Sequence, residues 1–207
     1  MSKTLLTATQ PRERRLLGAE HRVVFTPSEL VRQVSELGQI AKTIRGGKLE
    51  QIMNSDSPSL DLGQVLRHFN THRVEFLVVG GYAVAFHGHP RFTRDLDLYY
   101  RLTPENAARI LAAFSDCGLK DLRLTQADLV NPDINYKIGF PPDQLDLNPS
   151  VKGLEWTKAW AASLEGSILG QPVKFLDFDS LITAKAAAGR PQDLADIEHL
   201  MQGLSGV

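Results

Sequence analysis

The chain has 207 residues, 43% of them hydrophobic and 23% charged, with a formal net charge of −1. That length suits one domain with an appendage and a proper core, and the near-neutral balance excludes a wholly basic nucleic-acid coat while leaving room for a local basic patch. The single cysteine, Cys117, excludes a disulfide framework and a cysteine-ligated metal centre. It follows Phe114 at helical spacing and reads as a small core residue. No apolar run approaches the ~18 residues that span a bilayer, and the N-terminus lacks the pattern of a signal peptide, so the expected location is the cytoplasm.

Residues 1–20 are polar, with Arg12, Arg14 and Arg15 close together and no clear period. They read as a loose, solvated tail or, alternatively, an RNA-binding arm. Thr26-Pro27-Ser28-Glu29 is a helix start, with Thr as cap, Pro in the first turn and Glu three positions on. Leu30, Val34, Leu37, Ile40, Ala41 and Ile44 follow at helical spacing until Gly46-Gly47. Residues 1–50 hold nine Lys/Arg against five Asp/Glu, about +4, and the remainder balances at about −5. Residues 1–58 are therefore expected to form a tail and a basic helical appendage, and residues 59–207 the main domain. A turn-rich stretch, residues 53–59, links the two.

A helix capped by Ser59 or Asp61, with Leu62, Val65, Leu66 and Phe69 inward, leads to a buried strand at 74–79. The run Phe76-Leu77-Val78-Val79 stops at Gly80-Gly81, read as a tight turn. A short helix from Tyr82 to His87 follows, closed by Gly88. The glycine pair lets backbone N–H groups approach an anion of phosphate size at that helix start. After Arg91 and Arg94, Asp95-Leu96-Asp97-Leu98-Tyr99-Tyr100 alternates as a half-buried strand. Asp95 and Asp97 then point to one face, roughly 6.6 Å apart along the strand. Two carboxylates so placed repel unless a cation lies between them, and a hard divalent ion such as Mg²⁺ prefers such oxygen ligands. His87 and His89 lack a third nitrogen or sulfur ligand for zinc; they read as histidines framing a substrate entrance, or as simply exposed.

Thr103-Pro104-Glu105 starts the next helix, which buries Ala107, Ile110, Leu111 and Phe114 and closes at Cys117-Gly118. Ile134–Ile138 alternates as a third strand, Pro141-Pro142-Asp143 makes a turn, and Leu145-Asp146-Leu147 is a further strand. Asp146 reads alone as an exposed strand residue, or beside Asp95 and Asp97 as a third ligand. Trp156 and Trp160 share one face of an amphipathic helix and are expected to pack. Residues 167–176 read as a hairpin turning at Gly170-Gln171-Pro172. Asp179 or Ser180 starts a helix ending at Gly189, residues 190–193 break the pattern, and Leu194, Ile197, Leu200 and Met201 mark the last helix. Neither a P-loop nor a Rossmann glycine pattern occurs.

The series strand, Gly80-Gly81, short helix, Arg91, Thr93, Asp95 and Asp97 resembles the signature of the DNA polymerase β-like nucleotidyltransferases, and in particular of AbiEii-type toxins and related small bacterial members. The run from Tyr136 to Asp146 is similar to the family's approach to its third aspartate. The block Lys185 to Ile197 looks like a further family element, with Gln192 where Lys is usual. Three blocks in order cover about residues 62–200.

The resemblance implies a mixed α/β (α+β) fold, a small mixed sheet flanked by helices with the N-terminal helical appendage outside it. It implies metal-dependent transfer of a nucleoside monophosphate from an NTP to an acceptor hydroxyl. Asp95, Asp97 and Asp146 would hold two Mg²⁺ ions, or Mn²⁺, and carry the catalysis. Gly80, Gly81, Arg91, Arg94, Lys185, Arg190 and Asp193 would bind the nucleotide. The acceptor this implies is an RNA, a tRNA above all, with a cognate antitoxin as partner and no membrane. The alternatives are a small-molecule (antibiotic) nucleotidyltransferase and a non-catalytic, antitoxin-like binding module, whose expected mark would be the loss of an aspartate.

Overall fold

The computed structural model describes residues 60–205 apart from position 121, together with two short strands, β1 (Val23–Val24) and β2 (Glu50–Gln51). The expected tail, basic helix and linker otherwise lie outside the described residues.

Asp61 caps α1 (Leu62–Thr71) by accepting from the Gln64 N–H at 2.9 Å, and Leu62, Val65, Leu66 and Phe69 are its buried face. The chain then enters β3 (Phe76–Val78), buried throughout. Helix α2 (Gly80–Phe86) begins at once. The glycine pair expected as a tight turn is thus the first turn of the helix, reached because Gly80 adopts φ +62. β4 (Asp95–Tyr100) leads to α3 (Pro104–Asp116), where Thr103 accepts from Asn106 and Pro104 occupies the first turn.

The short α4 (Gln126–Leu129) carries a capping box between Thr125 and Asp128 that the sequence reading passed over. β5 (Tyr136–Phe140) lies two residues beyond the expected strand and pairs with β6 (Asp143–Asn148). α5 (Trp156–Ala162) precedes the hairpin of β7 (Leu164–Ile168) and β8 (Gln171–Phe175). That hairpin turns at Leu169-Gly170, both at positive φ, so Pro172 lies inside β8 opposite Ser167 instead of in the turn. α6 (Phe178–Ala188) is capped by Asp177 and stopped by Gly189 in the left-handed region. α7 (Pro191–Ser205) starts on Pro191, so the expected break is only the boundary between two helices.

The strands form one mixed sheet in the order β1-β7-β8-β3-β4-β6-β5-β2. Its centre, β3-β4-β6-β5, is antiparallel, parallel and antiparallel in turn. Leu96, Leu98 and Tyr100 alternate with Asp95, Asp97 and Tyr99 along β4, so its two faces differ in kind. Phe76 stands opposite Tyr100, and Phe69 packs against both Phe76 (5.7 Å between centroids) and Phe114 (5.3 Å). α1 and α3 therefore cover the leucine face. On the carboxylate face, Tyr99 meets Trp156 edge-on at 5.0 Å, and Trp156 stacks on Trp160 at 5.3 Å. A mixed sheet flanked by helices agrees with the mixed α/β architecture expected from the sequence. No helix among the described residues is long and apolar enough to cross a membrane.

Candidate functional site

Parallel pairing of β4 with β6 places Asp97 directly beside Asp146, between the leucine pairs Leu96–Leu145 and Leu98–Leu147. Because a strand repeats every two residues, burying those leucines on one face forces Asp95, Asp97 and Asp146 onto the other. One carboxylate oxygen from each lies within 4.8 Å of the others. The three side chains come from two adjacent strands and form the floor of a cleft of about 610 Å³.

Asp95 and Asp146 are held through their carboxylates, and Asp97 through its backbone. Thr93 Oγ1 donates to Asp95 Oδ1 at 3.0 Å, and the Asp97 carbonyl accepts from the Val79 N–H at 3.0 Å. Asp146 accepts from Gln144 Nε2 and from Lys137 Nζ, both at 2.6 Å. Burial pushes Asp97 up to about 7, reinforced by the charges of Asp95 and Asp146 and relieved in part by Lys137 and Arg190. Asp146 is also raised, by burial first, with Lys137 and Gln144 pulling the other way.

This is the electrostatic condition of a cation site: three close carboxylates, all oxygen donors, which repel until a positive charge joins them. The donor set fits a hard divalent ion. Lys137, which the sequence reading did not single out, supplies part of that charge, lying 3.9 Å from Asp95 Oδ2 as well as against Asp146. Its signal was strand parity. β5 pairs Lys137 with Asp146, so any long cation at that position must point along the carboxylate face.

Gly80 sits against this floor, since a Cβ there would fall onto the Asp97 carboxylate, while one on Gly81 would come within 2.7 Å of Thr93. The pair therefore lets α2 start beside the carboxylates, with its first N–H groups free of intrahelical acceptors.

The opposite wall is a chain of ion pairs. Arg91 forks onto Asp196 at 2.6 and 2.8 Å. Lys185 Nζ bridges Asp196 (2.6 Å) and Asp193 (3.2 Å), and Arg190 Nε holds Asp193 at 2.6 Å. Lys185, Asp193 and Asp196 are buried, whereas the Arg190 side chain is 75% exposed. Burial alone would raise Asp196, but hydrogen bonds from Arg91 and Lys185 overcome it and hold the carboxyl at about 2. Within the block Lys185 to Ile197 the sequence does not single out Asp196, yet it is the residue that joins Arg91 to Lys185. Its signal was the helical spacing of Asp193 and Asp196, three apart on α7.

Of the ten candidate site residues, Asp95, Asp97, Asp146, Gly80, Gly81, Arg91, Lys185, Arg190 and Asp193 line this one cleft. Arg94 stands apart from the lining, exposed, with its guanidinium 5.8 Å from the Phe92 ring centre. His87 closes α2 and shares a 2.8 Å hydrogen bond with the Leu176 carbonyl, while His89 stacks on His199 at 4.3 Å. Cys117 caps α3, and burial pushes its thiol up to about 11, so it stays protonated near neutrality.

No protein-family model and no curated protein matches the chain. Among solved structures it is similar to the crystal structure of ANT(2")-Ia in complex with adenylyl-2"-tobramycin, at 17% identity and a TM-score of 0.43, over 68% of this chain and 86% of that one. The functional reading rests on the cleft itself.

Proposed function

We propose that this chain is a divalent-metal-dependent nucleotidyltransferase that moves a nucleoside monophosphate from an NTP to an acceptor hydroxyl. The observation that carries the reading is the convergence of Asp95, Asp97 and Asp146 on one sheet face, facing a wall of cations across a single cleft. Asp95 and Asp97 would hold Mg²⁺ or Mn²⁺ jointly, with Asp146 completing the acceptor side and taking the acceptor's proton. Bound there, the metal supplies charge neutralisation and polarisation of the reacting oxygens. The chain's own share is positioning: in-line displacement at phosphorus needs orientation and fixed charge more than covalent chemistry. Backbone N–H groups at Gly80 and Gly81 offer an anion cradle. Arg190, its side chain largely exposed at the cleft, is the phosphate cation best able to reach a ligand, while Lys185 and Arg91 hold the wall that presents it. Arg94 would meet the ligand only from the rim.

For the acceptor we propose RNA, with a tRNA 3′ end first and a toxin-type role under antitoxin restraint. This rests on the sequence resemblance and on the +4 balance of residues 1–50. All three aspartates are present and converge, which argues against a fold kept only for binding.

The test is transfer of label from each α-³²P NTP, with Mg²⁺ and total bacterial RNA, using Asp97→Ala as the control. Label in a tRNA-sized band with wild type alone supports both activity and acceptor. Label appearing only with an added aminoglycoside or lincosamide moves the acceptor to small molecules. If no acceptor is labelled and NTP–Mg²⁺ does not bind, the enzymatic reading fails.

A further inference from the structure

A second group of metal-ligating side chains lies away from the cleft. His68 on α1 and His72, the residue that caps its C-terminus, stand one helical turn apart, hence on one face. The His72 N–H donates to the His68 carbonyl at 2.9 Å, so this spacing holds to the end of the helix. Asp116 is the last residue of α3, which is held against α1 by the Phe69–Phe114 contact. A nitrogen from each histidine and a carboxylate oxygen of Asp116 all lie within 4.8 Å of one another. His72 Nε2 and Asp116 Oδ2 are already 2.7 Å apart. The group is reachable from solvent, the His72 and Asp116 side chains being 26% and 54% exposed.

Ligands bonded at ~2.0–2.2 Å to one tetrahedral ion stand about 3.4 Å from each other. One spacing here is 2.7 Å and the others are at most 4.8 Å, so side-chain adjustments of about an ångström bring the three atoms to that separation. We propose that His68, His72 and Asp116 form a surface site for a borderline transition-metal dication, Zn²⁺ or its neighbours, clipping the end of α1 to the end of α3. Two imidazoles and one carboxylate select such ions over Mg²⁺ or Ca²⁺, which prefer oxygen alone. Solvent completes the fourth position. Cys117, next in the chain, directs its sulfur to the Gln64 carbonyl at 3.9 Å and is not a ligand. Since α1 and α3 cover the leucine face of β4, the site lies across the sheet from Asp95, Asp97 and Asp146. It stands independently of the nucleotidyltransferase reading.

The probe is ZnCl₂ titrated calorimetrically into the full, untagged, chelator-treated chain in excess Mg²⁺, with thermal unfolding in parallel. One equivalent of Zn²⁺ is expected, raising the midpoint of unfolding. His68→Ala and His72→Ala are each expected to weaken binding by more than the roughly 10–100-fold that loss of an outer-shell partner costs. Asp97→Ala should leave the Zn²⁺ isotherm unchanged. A visible Co²⁺ band in wild type, lost in His68→Ala, is the second readout should His72→Ala fold poorly. No uptake by wild type, uptake indifferent to both histidine variants, or uptake lost in Asp97→Ala would each overturn the proposal.

Discussion

At the scale of single residues, Asp97 carries the tension of the site. Its folded pKa, about 7, lies above the ordinary 3.8, so the folded state holds that proton more tightly than the unfolded chain does. By linkage, Asp97 costs nothing below about pH 3.8, and its penalty grows as pH rises from there to about 7. Asp97→Asn is therefore expected to stabilise the metal-free protein at pH 8 by about 1 kcal/mol, roughly 2–4 °C in Tm, a modest figure because the carboxylate still meets solvent in the cleft. The same variant should lose nucleotidyl transfer. Thermal unfolding of both proteins without metal, at pH 5 and pH 8, checks the first half.

Lys137 gives the complementary case, since its ammonium neutralises part of the charge of Asp95 and Asp146. Lys137→Met is expected to lower metal-free stability by about 1–3 kcal/mol, and to enlarge the gain in Tm on adding Mg²⁺. A smaller gain than in wild type would count against the role. Gly80→Ala meets two obstacles, a left-handed φ costing about 1–2 kcal/mol and a Cβ driven onto Asp97. Loss of activity should exceed loss of stability, measured as transfer rate against urea midpoint.

At the scale of elements, most helices were legible because their ends carry chemistry that acts locally. Thr103-Pro104 and Gly189 set boundaries through side-chain caps and a left-handed stop, needing no distant partner. Where only periodicity was available the reading slipped. β5 begins two residues beyond the strand that periodicity predicts, because Ile134 and Tyr136 alternate as well as Tyr136 and Ile138 do, and only the pairing with β6 chooses between them. Pro172, expected in the hairpin turn, instead lies within β8 opposite Ser167.

The α6–α7 pair is held by buried charge rather than by apolar contact alone. Replacing Lys185 by Met would leave Asp193 and Asp196 without their shared ammonium, each keeping only its arginine, at a cost of about 1–3 kcal/mol. Lys185→Met is thus expected to unfold at markedly lower urea than Arg190→Met, whose guanidinium is largely exposed. Equal losses would show that the bridge contributes little.

For the whole molecule, metal binding and protonation compete for one cluster. Mg²⁺ needs the ionised carboxylates, so its apparent affinity should fall by up to about tenfold per pH unit below about 7, where Asp97 takes up its proton. Mg²⁺ titrations at pH 6, 7 and 8 measure this, and a flat profile would mean that Asp97 is already ionised without metal. By itself the sequence determined the alternation of β4, the paired aspartates and most helix boundaries, since each depends on side-chain periodicity or on a cap within one turn. Tertiary structure alone decided that Asp146 lies beside Asp97, that Lys137 reaches Asp146, and that Asp196 ties Arg91 to Lys185. Those meetings depend on strand order and helix docking, which follow from burying leucines across the sheet; periodicity at the charged positions sets the face each side chain takes, not the partner it meets.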